Sequence, residues 1–436
     1  MAGTAAASSI GGLGYSRLNV DLRLDNPHDD HLEWRNKLFV QFEGEPRDNW
    51  RAVFSVLAEH NTLTAQETRL EYELALYEAY GRYRSGDFDL YVGRQIADWG
   101  MADASVVDNL NPRDLSEFIT REDEFTKLPV TMLRGVYYSG DNQFELAYIP
   151  FYKPSRMDFY GSDWALVNGG TLAEYRGDVD ADAFARQGVR PGVDKFPDDN
   201  FVNGTVGARW VHHGLDFDYQ LSVINGWELF PLFEFNPDFV EYLEAQPEGA
   251  LRTIESLQPQ EIIAYSPLYE SRPIRQTQIG GGMAGILGDS TARAEAAVIT
   301  PQELYTQDLE LTRHTIATGT VGVDRFLPLN IYANLSYLGA WISDYPEEGL
   351  MLLDRYNHYV IALLRASYLG ERLTPEFRGM FNLGQSDFFI NPRLPYRVTD
   401  NVQLTLGLYL IEGDEDTMLG QFSDNSFVYT QLRYAF

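Results

Sequence analysis

The chain has no cysteine, which excludes disulfide staples and thiolate metal or redox sites. That absence suits a protein that crosses an oxidising compartment unfolded. No run of about 18 apolar residues occurs, so no transmembrane helix is expected. A barrel whose strands alternate in hydrophobicity stays open. Basic residues are scarce, 34 Lys and Arg against 64 Asp and Glu, for a formal net charge of −30. This deficit excludes nucleic acid as a partner, because phosphates require a basic face. The opening residues lack both a basic n-region and an apolar h-region, so they are not an intact signal peptide. Residues 1–14 are therefore expected to be a flexible leader at a mature end, with 15–436 forming a single unit. The seven histidines show no metal-ligand spacing. His28 and His31 share an acidic loop with Asp29 and Asp30, the kind of group an outer-membrane protease would need, but no second constellation joins them. Heme and nucleotide motifs are absent.

What is present is alternation. In residues 426–436, Val428, Thr430, Leu432, Tyr434 and Phe436 share one face, while Phe427, Tyr429, Gln431, Arg433 and Ala435 share the other. The stretch resembles the final strand of bacterial outer-membrane β-barrels. That resemblance implies recognition by the barrel assembly machinery through Phe436 and closure against the first strand.

The same scheme recurs along the chain. Strands are expected at 17–25, 32–43, 50–59, 69–83, 88–96, 130–139, 142–151, 201–212, 215–227, 273–287, 291–300, 312–325, 329–342, 356–369, 373–383, 388–398, 401–411 and 427–436. The weakest are 130–139 and 273–287, which alternate poorly, and 388–398, which holds Pro392 and Pro395. Glu78 falls on the apolar face of its strand. The expected fold is all-β: one antiparallel transmembrane barrel of eighteen strands, or sixteen if one hairpin is lost. Short connections such as 84–87, 140–141, 213–214 and 288–290 mostly alternate with long ones. A transmembrane barrel requires this pattern, with short turns in the periplasm and long loops outside. The six longest loops carry nearly all of the formal −30. Such acid hydrates the outer surface and associates loosely with Ca2+ or Mg2+ bridging lipopolysaccharide, or concentrates cations before a pore.

After the fifth strand comes Tyr91-Val-Gly93-Arg94-Gln95, then Asp98-Trp99-Gly100 and Asn111-Pro112-Arg113-Asp114. Simple alternation would set Arg94 among lipid-facing residues, at about 2–4 kcal/mol near the bilayer midplane. A bulge at Gly93 would swing it into the lumen. The 30-odd residues that follow exceed a plain hairpin connection. Residues 91–160 resemble a porin-like outer-membrane family of unassigned function, which shows Gly-Arg-Gln, Trp-Gly and Asn-Pro-x-Asp in this order. The resemblance implies that residues 98–128 fold into the barrel as a constriction or plug. Arg94, Arg113 and Arg121 would then oppose Asp98, Asp103, Asp108 and Asp114 across the pore. The alternative is that Arg94, Trp99 and Asp114 pin the loop to the wall. Further lumen candidates are Arg17, Arg35, Lys37, Glu71, Glu73, Arg209 and Arg433.

Two other long loops carry signals. Residues 228–272 hold Phe230, Phe233, Phe235 and Phe239, either a lid over the mouth or a capture surface for an apolar ligand. In the loop 152–200, Asp178, Asp180 and Asp182 match the start of a calcium loop. Ala183 replaces its turn glycine and Val189 its closing Glu, so that pattern fails as an EF-hand.

The reading that results is a porin in the outer membrane of a Gram-negative bacterium, with lipid, lipopolysaccharide and small solutes as its partners. It performs no chemistry, and its selectivity comes from the inward loop and lumen charges. A transporter for hydrophobic molecules and a plugged scaffold barrel are the alternatives.

Overall fold

The computed structural model describes residues 7–22, 32–61, 72–157, 164, 192–230, 232–245, 263–306, 310–414 and 417–436. Its dominant feature is one 18-stranded sheet. The strands are Ala7–Asp21, Leu32–Arg47, Trp50–Asn61, Tyr72–Ser85, Phe88–Gln95, Val130–Ser139, Asn142–Ile149, Thr205–His213 and Phe217–Trp227 in the first half. Arg275–Leu287, Ser290–Tyr305, Leu311–Leu327, Ile331–Ile342, Tyr356–Ala366, Glu376–Asn382, Phe388–Arg397, Val402–Glu412 and Phe427–Ala435 make the second. Each pairs antiparallel with the next, and the last pairs with the first from Leu13↔Ala435 to Asp21↔Phe427. The sheet is a closed barrel, and each expected strand has its counterpart.

Closure follows from two-faced strands. Leu18, Val20, Trp34, Leu38, Phe54, Leu74, Leu76 and Val92 are exposed on the outside, which is an apolar belt only hydrocarbon can cover. Aromatic residues including Trp50, Tyr72, Trp341, Tyr356 and Tyr434 are exposed at strand ends, as the girdles of a membrane barrel require. Among the described residues no helix is long and apolar enough to cross a membrane. Two-residue turns at Gly86-Asp87, Gly140-Asp141 and Gly288-Asp289 join hairpins. Their glycines adopt positive φ (57°, 57° and 63°), which glycine tolerates without a steric cost.

Several expectations are corrected. The first strand starts at Ala7, so residues 7–14 are part of the wall and not of a flexible leader. Their backbone pairs with Glu45 through Leu38 on one side, and ladder bonds need no side-chain pattern. Small residues are needed there: a Cβ on Gly12 would lie 2.5 Å from the Phe39 carbonyl and 2.6 Å from the Phe436 ring. The register through Gly93 is unbroken, Gly93↔Tyr80 and Gly93↔Met132, so no bulge sits at that position. The shift lies in the neighbouring strand, where Ser55 opposes both Tyr77 and Glu78. That bulge removes Glu78 from the apolar face, and its carboxylate accepts the Ile96 N–H at 3.0 Å. Pro392 is accommodated because the ladder skips from Ile390↔Leu410 to Arg393↔Gly407.

Candidate functional site: the loop inside the barrel

Residues 96–129 leave the wall after Gln95 and return at Val130, and between these points they fold into the barrel and bond to several of its strands. Asn111 fastens the neck. Its Oδ1 accepts the Ala97 N–H at 2.8 Å, and its Nδ2 donates to the carbonyls of Gln95 (3.1 Å) and Leu128 (3.0 Å). Leu128 N–H also donates to the Pro112 carbonyl. One side chain thus closes a loop of more than thirty residues.

Beyond the neck, Trp99 is fully buried with Ala97, Leu110, Val130, Met132, Ala147, Ile149 and Ile224. Its Nε1 donates to Glu145 at 2.8 Å, and Arg209 lies over its ring while pairing with Glu145 at 3.1 Å. A Cβ on Gly207 would come 2.7 Å from the Trp99 ring, so only glycine leaves room for it. The tip then reaches the far wall at Glu295. That carboxylate accepts the N–H groups of Met101, Ala102 (3.0 Å) and Val106 (3.0 Å) and the Ser105 hydroxyl (2.6 Å). Gln278 adds a bond to the Val107 carbonyl at 3.1 Å.

The second lobe is ionic. Glu117 pairs with Arg35 (2.7 Å), Lys37 (3.1 Å) and Arg121 (3.1 Å), and Glu122 with Arg17 (3.1 Å) and Lys37 (2.9 Å). Arg121 also pairs with Asp114 (3.1 Å) and Glu59 (3.2 Å). Burial works against the Glu122 carboxylate, but Lys37 and Arg17 outweigh it and hold its pKa below the ordinary range. Phe125 seals this cluster against Tyr15, Leu57 and Tyr77. A buried network of this kind adds little net stability, yet loss of one partner leaves a charge uncompensated.

The expected residues fall into place unevenly. Asp98 and Asp108 both pair with Lys127, and Asp108 lies 4.0 Å from Arg113. Asp103 pairs with Arg293 at 3.7 Å and accepts from Asn334 at 2.8 Å. Asp114 and Arg121 join each other, so these charges do not oppose one another across an opening. Arg94 stays on the wall opposite Ala79 and Thr131, and its Nε donates to the Tyr77 carbonyl at the bulge (2.9 Å). Glu73 pairs with Arg156. Glu71, Asp178, Asp180 and Asp182 lie outside the described residues.

Two further ion pairs tie the loop to the wall. Asp123 and Glu124, near the end of the loop, pair with Arg378 (2.6 Å) and with Arg433 (2.7 Å), the latter beside Tyr15 at the closing seam. Arg433 was expected in the lumen, whereas Asp123, Glu124 and Glu295 were missed. A lone acid among alanines, Ala294-Glu295-Ala296, is the one local signal that could have marked Glu295.

At the mouth, Tyr305 hydroxyl bonds the Phe233 backbone, and Phe233 and Phe235 pack on Tyr269. Phe239 is buried beside Tyr265. Three short strands, Gly192–Asp194, Phe233–Phe235 and Tyr269–Ser271, form a separate sheet there. The aromatic loop packs on itself in the manner of a lid, although Phe230 is half-exposed.

No family model matches the chain, and no curated protein sequence matches it. Solved structures do. A BenF-like porin from Pseudomonas fluorescens superposes with a TM-score of 0.52 at 9% identity, covering 99% of this chain and 98% of that one. The outer membrane protein OpdK of Pseudomonas aeruginosa gives 0.52 at 8%, covering 99% and 99%. OccK9 of the same organism gives 0.52 at 8%, covering 99% and 97%. The fold is that of the outer-membrane porins. Closed barrels of this size with an apolar outer belt are outer-membrane structures, and the porin fold accounts for both the strand count and the lumen.

Proposed function

We propose that this chain is a diffusion channel of the Gram-negative outer membrane, passing small solutes between the inward loop and the wall without altering them. The observation that carries this reading is the loop itself: thirty-odd residues held inside a closed barrel, with the partly exposed pairs Asp123–Arg378 and Glu124–Arg433 between loop and wall. Charged side chains along a narrow path discriminate among solutes by sign and size. The sequence-level concentration of acid in the outer loops supports a field that attracts cations to the mouth and fades with salt. Contact with lipopolysaccharide, loose Ca2+ or Mg2+ at those acids, and delivery by the barrel assembly machinery belong to the same proposal.

Planar bilayers test it. Purified protein should give discrete ohmic steps, and shortening the loop by removing residues 101–106 should enlarge them several-fold. Persistently silent bilayers would favour a plugged scaffold barrel instead.

A further inference from the structure

The outer wall carries a trough. Glu295 and Gln278 bond to the inward loop, so their strand neighbours Ala296 and Ile279 point away from it, toward lipid. Ala296 belongs to one cross-strand row, which runs Leu221↔Gly281↔Ala296↔Gly319↔Gly339↔His358. Four neighbouring strands thus present only glycine or alanine to the membrane along one line. The rows on either side are tall. Ile279, Val298 and Trp341 belong to one ridge, and Met283, Val321 and Tyr337 to the other, all exposed. Between the ridges lies a groove of about 910 Å3, ending at Trp210 beside Leu221. With strands about 4.8 Å apart, its floor runs about 24 Å from Leu221 to His358.

The groove is oblique and its two ends differ. Leu221 sits toward the short-turn end of Phe217–Trp227, and His358 toward the long-loop end of Tyr356–Ala366. A histidine adds nothing apolar to a wall covered by hydrocarbon, and an ionisable residue at such depth marks a site. The Tyr337 hydroxyl bonds to Nδ1 of His358, and among the described residues no hydrogen bond engages its Nε2. Trp341 and Tyr356, paired one row nearer the long loops, stand 40% and 56% exposed.

We propose that this groove binds one acyl chain of a membrane lipid, with the lipid's polar head at His358, Trp341 and Tyr356 and the chain descending toward Leu221. The occupant follows from where the groove lies. It is cut into the apolar belt and is continuous with it, and at that depth there is no water to fill it. The flat wall of a second barrel would rest on the ridges and leave the floor empty. A single flexible chain reaches the floor and gains dispersion contacts on three sides that an unfilled trough would forfeit. The imidazole N–H and the Trp341 indole N–H suit the phosphate or carbonyl oxygens of a head group. The inference rests on the membrane seat of the barrel and not on conduction.

Native mass spectrometry of the full chain in detergent, titrated with dioleoylphosphatidylethanolamine, tests the site by counting retained lipid. Wild type should hold one molecule above the background of loosely bound lipid. Ala296→Trp fills the floor from the lipid side and should lower that retention roughly tenfold or more. Leu406→Trp, the same replacement at an exposed belt position elsewhere on the wall, should leave it unchanged. His358→Leu should weaken retention several-fold, because the head group loses its donor. Heat-modifiable electrophoretic mobility checks the folding of each variant. Val321→Ala lowers one ridge and serves, with the same expected loss, if Ala296→Trp does not fold. No lipid retained by folded wild type, equal retention by Ala296→Trp or His358→Leu, or an equal loss in Leu406→Trp would each overturn the site. So would a wild-type oligomer that Ala296→Trp converts to a monomer, since a second copy would then occupy this face.

Discussion

The Ser105 hydroxyl donates to Glu295 at 2.6 Å across a sequence separation of 190 residues. With three backbone N–H groups on the same carboxylate, this contact fixes the loop tip to the far wall. Bonds to a charged acceptor contribute about 1.5–3 kcal/mol each. Replacing Glu295 by Ala should release residues 101–107. Hydrogen exchange there should rise by orders of magnitude while the neck around Asn111 stays protected, and open-channel current noise should grow. Unchanged exchange at 101–107 would remove Glu295 from this role.

The ionic lobe gives a stability prediction. Arg121 serves Glu59, Asp114 and Glu117 together with the Phe125 carbonyl. Arg121→Gln should cost about 3–5 kcal/mol, because it strands buried carboxylates. The urea midpoint of the barrel in lipid vesicles reports it. A loss below 1 kcal/mol would mean that water reaches this cluster.

Gly207 and Trp99 offer a steric test. Gly207→Ala should force the indole away or tilt its strand, at about 1–3 kcal/mol. Trp99 emission, isolated by comparison with Trp99→Phe, should shift to the red as the ring loses its packing.

Acidity at the mouth should matter through Glu228. Burial, then the neighbouring Glu303, push its carboxyl from the ordinary 4.5 up to about 8. The folded chain thus retains a proton that the unfolded chain gives up, so stability is greatest below about pH 4.5 and declines as pH rises to 8. Tyr152 hydroxyl donates to the Glu228 carbonyl at 2.9 Å. Local opening around residues 228–235, followed by hydrogen exchange, should therefore increase across this window. Glu228→Gln should flatten the dependence, and a wild-type profile without slope would refute the assignment.

The strands were legible because lipid on one side and water on the other impose a two-residue period that survives even Pro392 and Pro395. The loop's inward course came from the resemblance of the Gly-Arg-Gln, Trp-Gly and Asn-Pro-x-Asp elements to a porin-like family, with the loop's length beside it. What could not be read was pairing across the lumen. Alternation tells that Arg35 and Lys37 point inward, but not that Glu117 lies between them. Arg94 misled for a related reason. A bulge at Gly93 was expected to swing Arg94 inward, whereas the register there is unbroken and the extra residue sits one strand away, opposite Ser55.

The partners of the ionic lobe have a direction along the sequence. Arg17, Arg35, Lys37, Glu59 and Tyr77 all precede residues 114–125, which they receive. Glu295, Arg378 and Arg433 lie far downstream. The second lobe is therefore seated by contacts of shorter sequence separation than those that hold Glu295, Arg378 and Arg433, and it needs only the first four strands of the wall. A barrel opened anywhere among its later strands would keep this lobe attached to the part of the wall that holds it.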